Sequence, residues 1–257
     1  MPAETPGRTA RPGLLGGMLA SWRGAGFMLA HPRLIPYALI PLAINAALYV
    51  LVFYLSNKYF GRWIDSLLPQ AQVWYWAILY WFIRVLFFLV LLLAAGFTFV
   101  AVANIVASPF NDALSAEVEK IVTGLESGGP FSLAAIVKEI GRTVIEELKK
   151  IAFYLAALAL ILLLNLIPVV GQLAYMVCGA LLTVIWLGLN FLDYPLARHG
   201  LRLGDKLNFI RGNFWPVLGY SLAVAAGVII PLVNLAVFPS AVAGGTLLYL
   251  ELEPKNR

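Results

Sequence analysis

The residues able to do chemistry in this chain are few, and each sits in or beside an apolar run. Arg33 lies in His31-Pro32-Arg33-Leu34-Ile35-Pro36, where two prolines suit the first turn of a helix. The amides of Leu34 and Ile35 would be open donors there, a ready anion site, and Arg33 would add a charge-assisted bond to an oxyanion. An arginine anchored at a membrane interface fits the same position equally well. Asn45, Asn104 and Asn111 place amide side chains within or at the end of apolar segments, where each needs a partner helix or a water-filled cavity. Lining a polar path and holding helices together both satisfy that need. The vicinity of Asp193 and His199 is the single candidate for acid–base work, were the chain a lipid-modifying enzyme. No Gly-rich phosphate loop, no His/Cys/Asp cluster and no Ser/His pairing at a useful spacing occurs, which argues against ATP coupling, a metal site, any cofactor and enzymology.

These residues need elements to position them, and composition says what kind. With 61% hydrophobic and 12% charged residues over 257, the chain cannot hide its apolar surface in a water-soluble core, so its solvent is lipid. The net charge of +5 resides in segments that flank apolar ones, the positive-inside pattern, and nucleic acid is a poor partner. The lone Cys178 lies in an apolar segment and reads as packing.

The expected fold class is an all-α integral membrane protein: two full transmembrane helices, two Pro-broken half-penetrating (re-entrant) hairpins and cytoplasmic amphipathic helices. It forms one membrane domain over 1–257. Residues 1–12 read as a disordered lead and 13–30 as an interfacial helix, with Leu14, Leu15, Met18, Leu19, Trp22 and Leu29 on its apolar side and Gly17, Ser21, Arg23 and Gly24 opposite. Residues 35–55 are the first span and 73–123 a long second span with a cytoplasmic extension, marked by Glu117, Glu119 and Lys120. Residues 132–150, capped by Ser132, are amphipathic, and Glu146 and Lys150 have the i,i+4 spacing of a supporting ion pair.

The first hairpin, 151–192, breaks at Asn165-Leu166-Ile167-Pro168-Val169-Val170-Gly171-Gln172. Its first arm, 151–164, reaches about 21 Å at 1.5 Å per residue, short of a hydrocarbon core of about 30 Å. Both its ends carry basic residues, as a re-entrant loop requires, although a double crossing gives the same charge pattern. A basic connector, 202–214, leads to the second hairpin, 217–250, broken at Pro231-Leu232-Val233-Asn234. Ala243-Gly244-Gly245-Thr246 supplies small residues for close helix packing. Paired broken segments are the usual pointer to a transport site, and the tips at Pro168, Gly171, Pro231 and Asn234 read as shapers of its cavity.

Several stretches, in this order and spacing, resemble the CysZ-type sulfate permeases of bacterial inner membranes. They are Leu39-Ile40-Pro41-Leu42 with Asn45, Ala103-Asn104-Ile105-Val106-Ala107-Ser108-Pro109-Phe110-Asn111, Ile167-Pro168-Val169-Val170-Gly171-Gln172, Asp193-Tyr194-Pro195, and Ile230-Pro231-Leu232-Val233-Asn234 with Pro239. The resemblance covers most of the chain from Pro32 onward. It implies sulfate uptake toward cysteine synthesis, a homo-oligomer in the inner membrane in contact with lipid, and cytoplasmic termini. It also implies a sulfate site before the first span, in a Pro-Gly-x-Arg-Arg pattern. Here Pro32 matches, Arg33 stands at the glycine, and Ile35 and Pro36 stand at the two arginines, so Arg33, with Leu34 and Ile35, is the sulfate-binding candidate from a shifted position. Asn45, Asn104, Asn111, Glu117, Arg142 and Glu147 match the family better and are the conduction-path candidates. An oligomeric scaffold or regulator of a partner transporter, with no flux of its own, is the competing expectation.

Overall fold

The computed structural model describes residues 12–67, 74–125, 133–230 and 233–253; within its helices, the side chains of 56–57, 59–67, 74–77, 79–80, 91, 94–95, 97–105, 133–144 and 147 lie outside the description. Most of the 1–12 lead, the Ser132 cap and Pro231 therefore fall outside it, as do the side chains of Asn104, Arg142 and Glu147. Among the described residues every regular element is helical: α1 (Leu14–Ala30), a 3-10 turn (Pro32–Leu34), α2 (Ile35–Leu67), α3 (Trp74–Thr123), α4 (Leu133–Leu162), a second 3-10 turn (Leu163–Leu166), α5 (Val170–Arg198), α6 (Leu203–Gly212), α7 (Phe214–Ile229) and α8 (Val233–Leu252). The chain divides into two compact units, one of Met1–Ile35 with Asp112–Arg257 and the other of Pro36–Asn111.

Unit Pro36–Asn111 holds nearly all of α2 and most of α3. Its described apolar side chains face outward: Leu39, Tyr49, Val50 and Phe53 on α2, and Trp81, Phe82, Val90 and Leu93 on α3, are exposed. A water-soluble domain would bury such residues, whereas lipid accepts them.

In the other unit α1, α5, α7 and α8 pack together, α4 lies along α5, and α6 touches α4 and α7. Helix α1 faces the opposite way from its hydropathy. Gly17, Ala20, Gly24 and Met28 are its buried residues, while Leu15, Leu19, Trp22 and Leu29 are exposed. Small side chains explain this, because they let backbones meet. A Cβ on Gly24 would lie 2.2 Å from the Ser240 carbonyl oxygen, and one on Gly244 would lie 2.4 Å from that of Ala20. In lipid, close van der Waals contact rather than apolar burial draws helices together, so the glycine face turns inward.

The first hairpin breaks in three steps. Helix α4 tightens into the 3-10 turn at Leu163–Leu166, Ile167 becomes extended, and a γ-turn centred on Val169 (φ 65°, ψ −65°) lets the Val170 N–H reach the Pro168 carbonyl at 2.8 Å. Positive φ is strained for a β-branched valine. Gly171 then closes the turn: its amide donates to the Ile167 carbonyl at 3.1 Å, and a Cβ there would sit 1.9 Å from the Leu164 carbonyl oxygen. The first arm proves longer than its count from 151: the apolar helical stretch Leu148–Leu166 has 19 residues and is long enough to cross. Arm length alone therefore does not separate re-entry from crossing. Pro32–Leu55, Val170–Arg198 and Val233–Leu252 are also long and apolar enough by length and composition, and α6 and α7 meet at a bend of 99°.

The second hairpin is built into the core. Val217, Tyr220, Val224, Ala241, Val242, Ala243 and Leu248 are buried, and the Tyr220 hydroxyl donates to the Ala241 carbonyl at 2.6 Å, linking α7 to α8.

Candidate functional site

Two groups of charges in the larger unit lie where α3 and α5 end, along the middle of α4 and where α6 begins. Helix α5 stops in a left-handed Gly200 (φ 73°), with the Leu201 N–H donating to the Leu196 carbonyl at 3.1 Å and the Gly200 N–H to that of Ala197 at 2.8 Å. This closing turn fixes Arg198 and His199 against α3. One Arg198 Nη donates to the Ser115 hydroxyl and to Glu119 Oε2, each at 3.2 Å, and the other to the Asp112 carbonyl and carboxylate, each at 2.6 Å. His199 Nε2 meets Glu119 Oε1 at 2.8 Å. The Thr246 hydroxyl donates to the Val242 carbonyl at 2.8 Å, so Ser115 must donate to Thr246, also at 2.8 Å. Arginine, serine, threonine and carbonyl thus form one polarised chain from α5 through α3 to α8.

A second ion cluster is more deeply covered. Asp193 on α5 holds Lys150 of α4 on Oδ2 at 3.0 Å and Lys206 of α6 on Oδ1, and all three residues are buried. Beside it Glu146 pairs with Lys149 at 2.9 Å and accepts the Leu203 N–H at 3.3 Å. The Lys149 hydrogen bond holds the Glu146 carboxyl below its ordinary pKa, helped by the Leu203 N–H and opposed by partial burial.

The sequence candidates distribute unevenly. Leu34 is fully buried, and its amide donates to the His31 carbonyl at 2.9 Å, while the Ile35 amide turns to the Pro32 carbonyl. These two amides close the 3-10 turn. Arg33 stays largely exposed and faces Glu117 across 4.0 Å, so one sulfate-binding candidate and one conduction-path candidate meet. Asn45 and Asn111 are partly buried in the other unit. Asn104 lies on α3 and Arg142 and Glu147 on α4, without described side chains. At the tips, Pro168 accepts the Val170 amide and the Asn234 amide donates to the Ile230 carbonyl at 3.1 Å.

Glu119 is 3% exposed and paired. Two readings change. Glu146 takes Lys149, while Lys150 reaches Asp193 rather than serving as the i,i+4 partner of Glu146. Asp193 and His199 hold different partners and so form no acid–base couple. The ion clusters at Arg198 and Asp193 were missed because their basic members read as loop charge; Asp193-Tyr194-Pro195 was the one available signal.

Helices alone as regular elements among the described residues, four of them long and apolar enough to cross a membrane, define an all-helical membrane protein. Residues 20–239 match the family described as Sulfate transporter CysZ/Etoposide-induced protein 2.4, and the chain belongs to that family, a transporter's and not an enzyme's. A protein of Pseudomonas paraeruginosa named Sulfate transporter CysZ is 34% identical over 227 residues, covering 88% of this chain and 91% of its own. One of the same name from Pseudomonas fluorescens is 35% identical over 224 residues, 87% of this chain and 89% of its own. A third, from Pectobacterium atrosepticum, is 28% identical over 236 residues, 90% of this chain and 82% of its own.

Proposed function

We propose that this chain is a sulfate permease of a bacterial inner membrane, supplying sulfate for assimilation toward cysteine through a polar path in a homo-oligomer. The observation that carries the sulfate reading is the near full-length match to relatives named for sulfate transport. Both termini and the basic connectors lie on the cytoplasmic side, on the positive-inside rule.

The hairpins enter the membrane part-way. Support comes from the first tip, where Leu166, Val169 and Val170 are 79%, 82% and 70% exposed and no charged residue interrupts 151–192. A full crossing would put that tip in water, at about 25 cal/mol for each Å² of apolar surface.

Sulfate is a divalent oxyanion, so its hydration must be replaced by donors that do not hold it too tightly to leave. Arg33, with Leu34 and Ile35, is the proposed sulfate-binding stretch before the first span; Asn45, Asn104, Asn111, Glu117, Arg142 and Glu147 are the proposed conduction residues, and Pro168, Gly171, Pro231 and Asn234 the proposed shapers of the cavity. Asn104→Ala and Asn111→Ala, each reconstituted in liposomes as folded protein, should lose labelled-sulfate flux. Wild-type flux in both would remove the assigned path.

A further inference from the structure

The Lys150–Asp193–Lys206 cluster occupies a special place in the fold. Lys150 opens the apolar stretch of the first hairpin's outgoing arm, and Asp193 lies near the end of its returning arm. Lys206 sits on α6, which feeds the second hairpin through the 99° bend into α7. One carboxylate thus ties both arms of the first hairpin to the launch of the second, using a different oxygen for each lysine.

A buried ion cluster is an inefficient way to stabilise a protein, since well-packed apolar residues of similar volume often do as well or better. What it supplies is direction. Apolar contact is non-directional, whereas one ammonium hydrogen-bonded to Oδ2 and a second ion-paired with Oδ1 of the same carboxylate set the separation of their helices. The adjoining link between α4 and α6, Glu146 to the Leu203 amide, is a single longer bond.

The geometry points to Asp193 as a positioning residue for sulfate passage: it sets the spacing between the mouths of the two hairpins by bracketing Lys150 and Lys206. This rests on the permease reading, and it assigns no contact between Asp193 and sulfate. Asp193→Asn keeps the shape and removes the charge that orders both lysines. It should lower maximal sulfate flux in liposomes at least tenfold while leaving the half-saturating sulfate concentration unchanged.

The apolar triple variant Lys150→Met/Asp193→Leu/Lys206→Met separates positioning from stability. It should melt at or above the wild-type temperature yet keep the tenfold flux defect. The conservative Asp193→Glu, which keeps a carboxylate between the two lysines, should retain most of the flux. The triple variant is informative even if Asp193→Asn does not fold. Wild-type flux in Asp193→Asn, or in the apolar triple variant, would overturn the proposal. Absence of flux from the wild-type protein itself would instead overturn the permease reading on which it rests.

Discussion

The two hairpins share a design in sequence and differ in how they are held. In the second, 44% of the apolar stretch of α8 is buried inside the protein; in the first, the corresponding figures are 6% for Leu148–Leu166 and 22% for α5. The second hairpin is sheathed by α1 and α5 and locked by glycine contacts. The first leaves its outgoing arm and tip open and is tied at its base by ions from Lys150, Asp193, Lys206 and Glu146. A repeated pattern of breaks therefore does not mean repeated mechanics. One hairpin belongs to the rigid frame. The other has the sparse contacts expected of an element that opens at low cost.

Glycine substitutions offer the sharpest break of that contrast. Gly244→Leu drives a side chain into the Ala20 carbonyl, 2.4 Å from its Cβ, whereas a Cβ on Gly179 in the first hairpin meets nothing within 4 Å. Overpacking costs about 1–3 kcal/mol where side chains can yield, and backbone cannot. Thermal unfolding in detergent should show Gly244→Leu losing the fold and Gly179→Leu melting as wild type. Equal effects would erase the distinction between the hairpins.

A smaller effect is expected at the first tip. Gly171→Ala meets the Leu164 carbonyl oxygen at 1.9 Å, but the surrounding Leu166, Ile167, Val169 and Val170 are exposed and the turn can open. Hydrogen exchange should rise at the tip, with a loss of about 1–3 kcal/mol in local protection, while α7 and α8 keep theirs. Loss of protection throughout would show the two hairpins to be one cooperative unit.

The smallest effect concerns Glu146 at the base. Its folded-state pKa is depressed, so its contribution is present above the ordinary carboxylate range and is lost as pH falls through the folded value. The melting difference between wild type and Glu146→Gln should be present at neutral pH and vanish below the folded pKa. A difference that persists at low pH would show that the carboxylate charge is not what ties α4 to α6.

Legibility followed locality. The apolar stretches and the break at Pro168 were visible because a proline without an N–H and a lipid-length run of leucines announce themselves within a few residues. The packing face of α1 was not legible from its hydropathy: Gly17, Ala20 and Gly24 turn inward while Leu15, Leu19 and Trp22 stay exposed, as close helix packing in lipid favours. Counting the first arm from Ile151 missed that its helix already runs through Leu148 and persists as a 3-10 turn to Leu166. Within the site, Arg33 was legible as a cation before a span, and its approach to Glu117 was not. Lys150 with Asp193, and Arg198 with Glu119, pair across 43 and 79 residues, and no local pattern encodes such a choice of partner.

The most direct measurement is labelled-sulfate uptake into liposomes holding only this purified protein. The account predicts saturable flux well above that of protein-free liposomes. Flux no greater than theirs, from folded and correctly inserted protein, would contradict it and leave the chain as a scaffold or regulator of another transporter.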